Sequence, residues 1–133
     1  MVLLDSFYHI TPMRNVDNII SMGLKWGTQN GICVIITKHE LIIEYVTEMM
    51  LVERGDKRFA VFQIDPCRHK LLPEDIVPDT DDEFTNPLHR YIKKDRLILR
   101  QSDYIQSYIT RPYGIPDLEK LKTDIRKAGL IKD

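Results

Sequence analysis

The chain has 133 residues, 43% of them apolar and 29% charged, with 19 Lys and Arg against 20 Asp and Glu for a formal net charge of −1. That is enough for one domain with a real core, and the charge balance excludes both a strongly basic nucleic-acid coat protein and an acidic disordered chain. Two dispersed cysteines, Cys33 and Cys67, exclude a disulfide framework, and the apolar runs fall short of the roughly 18 residues of a membrane span.

The first residues, MVLLDSFYHI, carry Asp5 and no basic segment, so they do not read as a signal peptide. A soluble, cytoplasmic, single domain over residues 1–133 with no membrane partner is the expectation. Residues 2–10 (VLLDSFYHI) predict a strand ending near His9. Thr11 then precedes Pro12, which suits helix entry, and Val16, Ile19 and Ile20 share one helical face before a stop at Gly23. Residues 25–31, with two glycines and an Asn, are a loop.

ICVIIT, residues 32–37, is β-branched and continuous and predicts a strand buried on both faces. Lys38 to about Arg54 predicts a helix with Leu41, Ile42, Tyr45, Val46, Met49 and Met50 on its apolar face. FAVFQID, residues 59–65, is a third strand. Residues 66–89 hold Pro66, Pro73, Pro78 and Pro87 and the acidic run Asp79, Asp81, Asp82 and Glu83. They predict a long connection without regular structure, of a length that is often functional. Short strands are expected at 90–93, 96–100 and 103–109, and an amphipathic helix at 116–128. The layout is α+β around a modest, mostly antiparallel sheet.

Neither GxGxxG nor GxxxxGK[ST] occurs, which argues against a Rossmann or P-loop site. Metal-binding CxxC and HExxH spacings are missing too, and Cys67-Arg68-His69 alone is a weak zinc signal. The more specific constellation is Phe7-Tyr8-His9-Ile10-Thr11-Pro12, then Asn15, Ile19-Ile20, Gly23-Leu24, and the strand Ile35-Ile36-Thr37. In a strand, His9 and Thr11 face the same side. An imidazole and a hydroxyl on one face can bind a ribose diol. Capping of the first helix by Thr11 is the alternative.

This pattern resembles the ADP-ribosyltransferase superfamily, and within it the small DarT-type toxins that modify DNA. RNA 2′-phosphotransferases are a remoter likeness. The likeness is best over Phe7 to Leu24. It implies a split β-sandwich with flanking helices that binds NAD in a cleft and transfers ADP-ribose to a macromolecular acceptor, whether DNA, RNA or protein. It implies that Tyr8, His9 and Thr11 bind the cofactor, with His9 at the adenosine-side ribose. Thr37 is implied near the nicotinamide and Tyr45 stacked on its ring. Family members supply a Glu at the start of a late strand, where this chain reads Pro87-Leu88-His89-Arg90-Tyr91-Ile92. The nearest acids, Glu83 and Asp95, are the candidate catalytic carboxylates, and Arg90 is the candidate phosphate ligand. A degenerate member that binds a nucleotide or a protein without catalysis is the alternative.

Overall fold

In the computed structural model, which describes residues 5–25, 31–79, 86–109 and 118–131, the first strand, β1 (Phe7–Pro12), runs past His9 to the proline. A 3-10 turn (Met13–Asn15) leads into α1 (Val16–Met22). Thr11 therefore lies within a strand and does not cap the helix. The chain continues through β2 (Leu24–Lys25), β3 (Ile32–Ile35), α2 (Glu40–Arg54) and β4 (Arg58–Ile64). It closes with β5 (Ile76–Pro78), β6 (His89–Ile92), β7 (Arg96–Leu97), β8 (Tyr104–Ile109) and α3 (Leu118–Lys127).

Among the described residues the sheet has six strands in the order β5-β6-β3-β1-β4-β8, and β2 with β7 forms a two-stranded ribbon beside it. Every pairing among the described residues is antiparallel. The protein is thus α+β with a largely antiparallel sheet. No helix among the described residues is long and apolar enough to cross a membrane.

Two expectations are corrected here. The connection 66–89 is not without regular structure, because it contains β5 and 3-10 turns at Pro73–Asp75 and Asn86–Leu88. The strand is three residues long and sits at the sheet edge, where a terminal Pro78 need not donate to a neighbour. Of the strand expected at 96–100, only Arg96 and Leu97 pair, with Lys25 and Leu24. Residues 80–85, which include Asp81, Asp82 and Glu83, lie outside the described residues.

Strand alternation gives the sheet two buried faces. On one, Phe7, Ile32, Val34, Phe62, Ile64 and Ile92 pack with Ile19 of α1 and Leu97 of β7. On the other, Ile10, Ile35, Phe59 and Val61 pack with Ile42, Ile43 and Tyr45 of α2 and Leu121 and Ile125 of α3. Helix α2 begins at His39, whose Nδ1 accepts the Leu41 N–H at 3.2 Å, supplying a partner for an otherwise unpaired first-turn donor.

Candidate functional site

Strand β1 is treated differently by its two neighbours. Along β4 it pairs over its whole length, from Phe7↔Ile64 to Pro12↔Phe59. Along β3 it registers at one pair among the described residues, Tyr8↔Ile35. Past that pair the two strands separate. A cavity of about 670 Å³ opens there, lined by β1 and β3 from both sides of the sheet.

A side chain spans the gap. His9 Nδ1 lies 2.8 Å from the carbonyl oxygen of Cys33 on β3. A carbonyl only accepts, so Nδ1 carries the hydrogen and donates it. Burial pushes the His9 pKa below its ordinary value, and the bond to the Cys33 carbonyl partly offsets this. The ring is accordingly held neutral, with Nε2 as the acceptor nitrogen.

Thr11 is on the same face as His9 and is buried. Its Oγ1 accepts the Asn15 Nδ2 hydrogen at 3.2 Å, which sets the hydroxyl to donate in turn. Asn18 of α1, Lys25 of β2 and the backbone at Gly23 complete this side of the cavity. Gly23 has φ +87, and a Cβ there would stand 2.7 Å from the Arg96 Cγ. Only glycine lets the aliphatic stem of Arg96 lie across this wall.

The α2 side of the cavity is aromatic and apolar. Tyr8, Ile35 and His89 form one row across β1, β3 and β6. Cys33 pairs with Tyr91 in the next row on that face. Val46 and Met50 of α2 cover them. His89 Nδ1 is 3.7 Å from the Asp79 carboxylate, an ion-pair distance and not a hydrogen bond. Burial lowers the His89 pKa; Asp79 opposes that shift and Arg90 adds to it. Among the described residues no Asp or Glu lines the cavity itself.

The structure brings Tyr8, His9 and Thr11 together on the cavity wall and leaves Thr37, Tyr45, Arg90 and Asp95 off it. Thr37 accepts the His39 N–H at the entry to α2, 3.1 Å away. Tyr45 is buried in the core beneath α2. Arg90 curls back along its own strand, its Nη1 donating to the carbonyls of Pro87 and His89 at 2.9 and 2.7 Å. Asp95 is an exposed residue between β6 and β7. Glu83 lies outside the described residues.

Sequence reasoning missed Cys33, His89, Asp79, Asn18 and Lys25. A period-2 reading of β6 puts His89 and Tyr91 on one face, but only the strand order brings that face to β1. The His9 partner is a backbone oxygen, which has no residue-type signature. Comparisons of the chain with protein-family models, with curated proteins and with solved structures returned no match.

Proposed function

We propose that the protein is an ADP-ribosyltransferase-like enzyme that binds NAD in the cleft between β1 and β3 and transfers ADP-ribose to a macromolecular acceptor, DNA, RNA or protein. The observation that carries this reading is the cleft itself: about 670 Å³ of space opened within the sheet, with a neutral imidazole and an oriented hydroxyl on one side and two tyrosines on the other. That volume is in the range of small-molecule and cofactor sites. His9 Nε2 accepts from one ribose hydroxyl while the Thr11 hydroxyl donates to its neighbour, which matches the two functions of a vicinal diol. Tyr8 and Tyr91 line the cleft and supply aromatic rings of the kind that stack on a base or nicotinamide.

Transfer requires the bond between nicotinamide and ribose to break through an oxocarbenium-like state, which a carboxylate stabilises. Of the two nearest acids, Glu83 and Asp95, the second does not line the cleft, and Glu83 is the one tested for this role. One observation favours a second reading, a nucleotide-binding module without turnover: no carboxylate lines the cleft among the described residues.

Calorimetric titration with NAD and measurement of nicotinamide release separate the two. Binding with release supports the enzyme, and Glu83→Gln then abolishes release while leaving binding intact. Binding without release supports the module. His9→Ala is expected to weaken binding about tenfold, the value of one good hydrogen bond. Protein that neither binds nor consumes NAD refutes both.

A further inference from the structure

We propose that His89, backed by Asp79, is the general base of the cleft and takes the proton from the nucleophile that attacks the ribose of bound NAD. The inference rests on the NAD reading above. Strand β5 pairs with β6 up to Pro78↔Arg90, so the next antiparallel step sets Asp79 opposite His89. The side chains meet accordingly, Nδ1 to Oδ2 at 3.7 Å, with 13% and 6% of their surfaces exposed. The imidazole also lines the cavity, on the tyrosine side. An imidazole with a carboxylate at ion-pair distance from one nitrogen and its ring on a cavity wall is placed to take a proton and to have the resulting charge stabilised.

The step balances without a further reagent. The bond from ribose C1′ to the nicotinamide nitrogen breaks, and its electron pair cancels the pyridinium charge. A lone pair on a hydroxyl oxygen or N–H nitrogen of the acceptor, water in the simplest case, forms the new bond to C1′. The proton of that nucleophile passes to His89 Nε2. The Asp79 carboxylate stabilises the resulting imidazolium, which then releases the proton to solvent. Burial, together with Arg90, keeps the resting ring neutral against the pull of Asp79, as a base requires.

Several of the described residues face His89. Asp79 follows β5, Arg90 is its neighbour on β6, Ile35 of β3 and Tyr8 of β1 share its row, and Cys33 is in the next row. Helix α2 contributes Val46 and Met50 to the shared cavity, and His9 is the second imidazole there. His9 acts on ligand binding, so its titration enters the dissociation constant and not the rate at saturating NAD.

The test measures NAD consumption at saturating NAD across pH 5–8.5, with NAD affinity measured separately. The wild-type rate is expected to climb with pH along one limb as the His89 ring loses its proton. His89→Gln should lower that rate about 100-fold and remove the limb, with NAD affinity unchanged within about threefold, a factor small against tenfold per 1.4 kcal/mol. The near-isosteric Asp79→Asn removes the group that raises the imidazole pKa, so the limb should move to lower pH even if His89→Gln fails to fold. A limb that stays in place in Asp79→Asn, or survives in His89→Gln, overturns the assignment. Wild-type protein that binds NAD but never consumes it also overturns it and leaves the cleft a binding site. Protein that binds no NAD overturns the proposed function itself.

Discussion

The two flanks of β1 are built from the same kinds of residue and serve different ends. On the β4 flank all six residues of β1 find partners, and Phe59, Ala60, Val61, Phe62 and Ile64 are buried. On the β3 flank the strands meet at Tyr8 and Ile35, and a histidine side chain spans the space beyond. One flank is scaffold. The other gives up ladder bonds and opens a cavity, and a bond from His9 to the Cys33 carbonyl links the separated strands.

The sharpest break of this comparison is Ile64→Ala on the closed flank. Ile64 is fully buried opposite Phe7, and neither residue lines the cavity. Truncation should cost about 2–5 kcal/mol of stability, read by denaturant unfolding. The fraction that remains folded should bind NAD as before. A matching loss of affinity would mean that the closed flank is part of the site.

Gly31→Ala comes next and acts on the open flank. Gly31 has φ +128, and a Cβ there would lie 2.4 Å from the Ile92 carbonyl oxygen. The dihedral alone should cost about 1–3 kcal/mol, and the clash pushes β3 away from β6. Here stability and affinity should fall together, because β3 carries the Cys33 carbonyl.

The contrast between the flanks also explains what the sequence made legible. The scaffold announces itself: FAVFQI of the closed flank and the ICVI run of β3 are apolar and β-branched, and α2 carries a broad apolar face. His9 and Thr11 were readable as a pair because alternation alone puts them on one side. The rest of the site depends on contacts between segments distant in sequence. His9 meets a backbone oxygen 24 residues away, and His89 meets Asp79 through the register of a three-residue edge strand ending in proline. Tyr45 fits a helix-face pattern equally well whether it points to core or cleft. The packing of α2 against α3 and the sheet sends it to the core.

A pH series sharpens the comparison further. His9 is held neutral, its pKa lowered by burial. Between that lowered value and the ordinary 6.5, the unfolded chain binds a proton that the folded chain does not, so stability falls as pH drops through this window. It is fully present above about 6.5, the unfolded-state value. His69 and His89 shift in the same direction. His9→Gln should therefore reduce the slope of unfolding free energy between pH 7.5 and 5 without abolishing it. An unchanged slope would show that the bridging imidazole is not held neutral.

The smallest expected effect is at Asn15. Its amide donates to Thr11 Oγ1 at 3.2 Å in a half-buried setting, and a net hydrogen bond of this type is worth about 0.5–1.5 kcal/mol. Asn15→Ala should lower stability by about that amount. It also frees the Thr11 hydroxyl to rotate, so NAD affinity should drop less than in His9→Ala, where an acceptor is lost outright. If Asn15→Ala weakens binding more than His9→Ala does, the diol is held chiefly from α1. The open flank would then owe its ligand to the helix that borders it more than to the histidine that spans it.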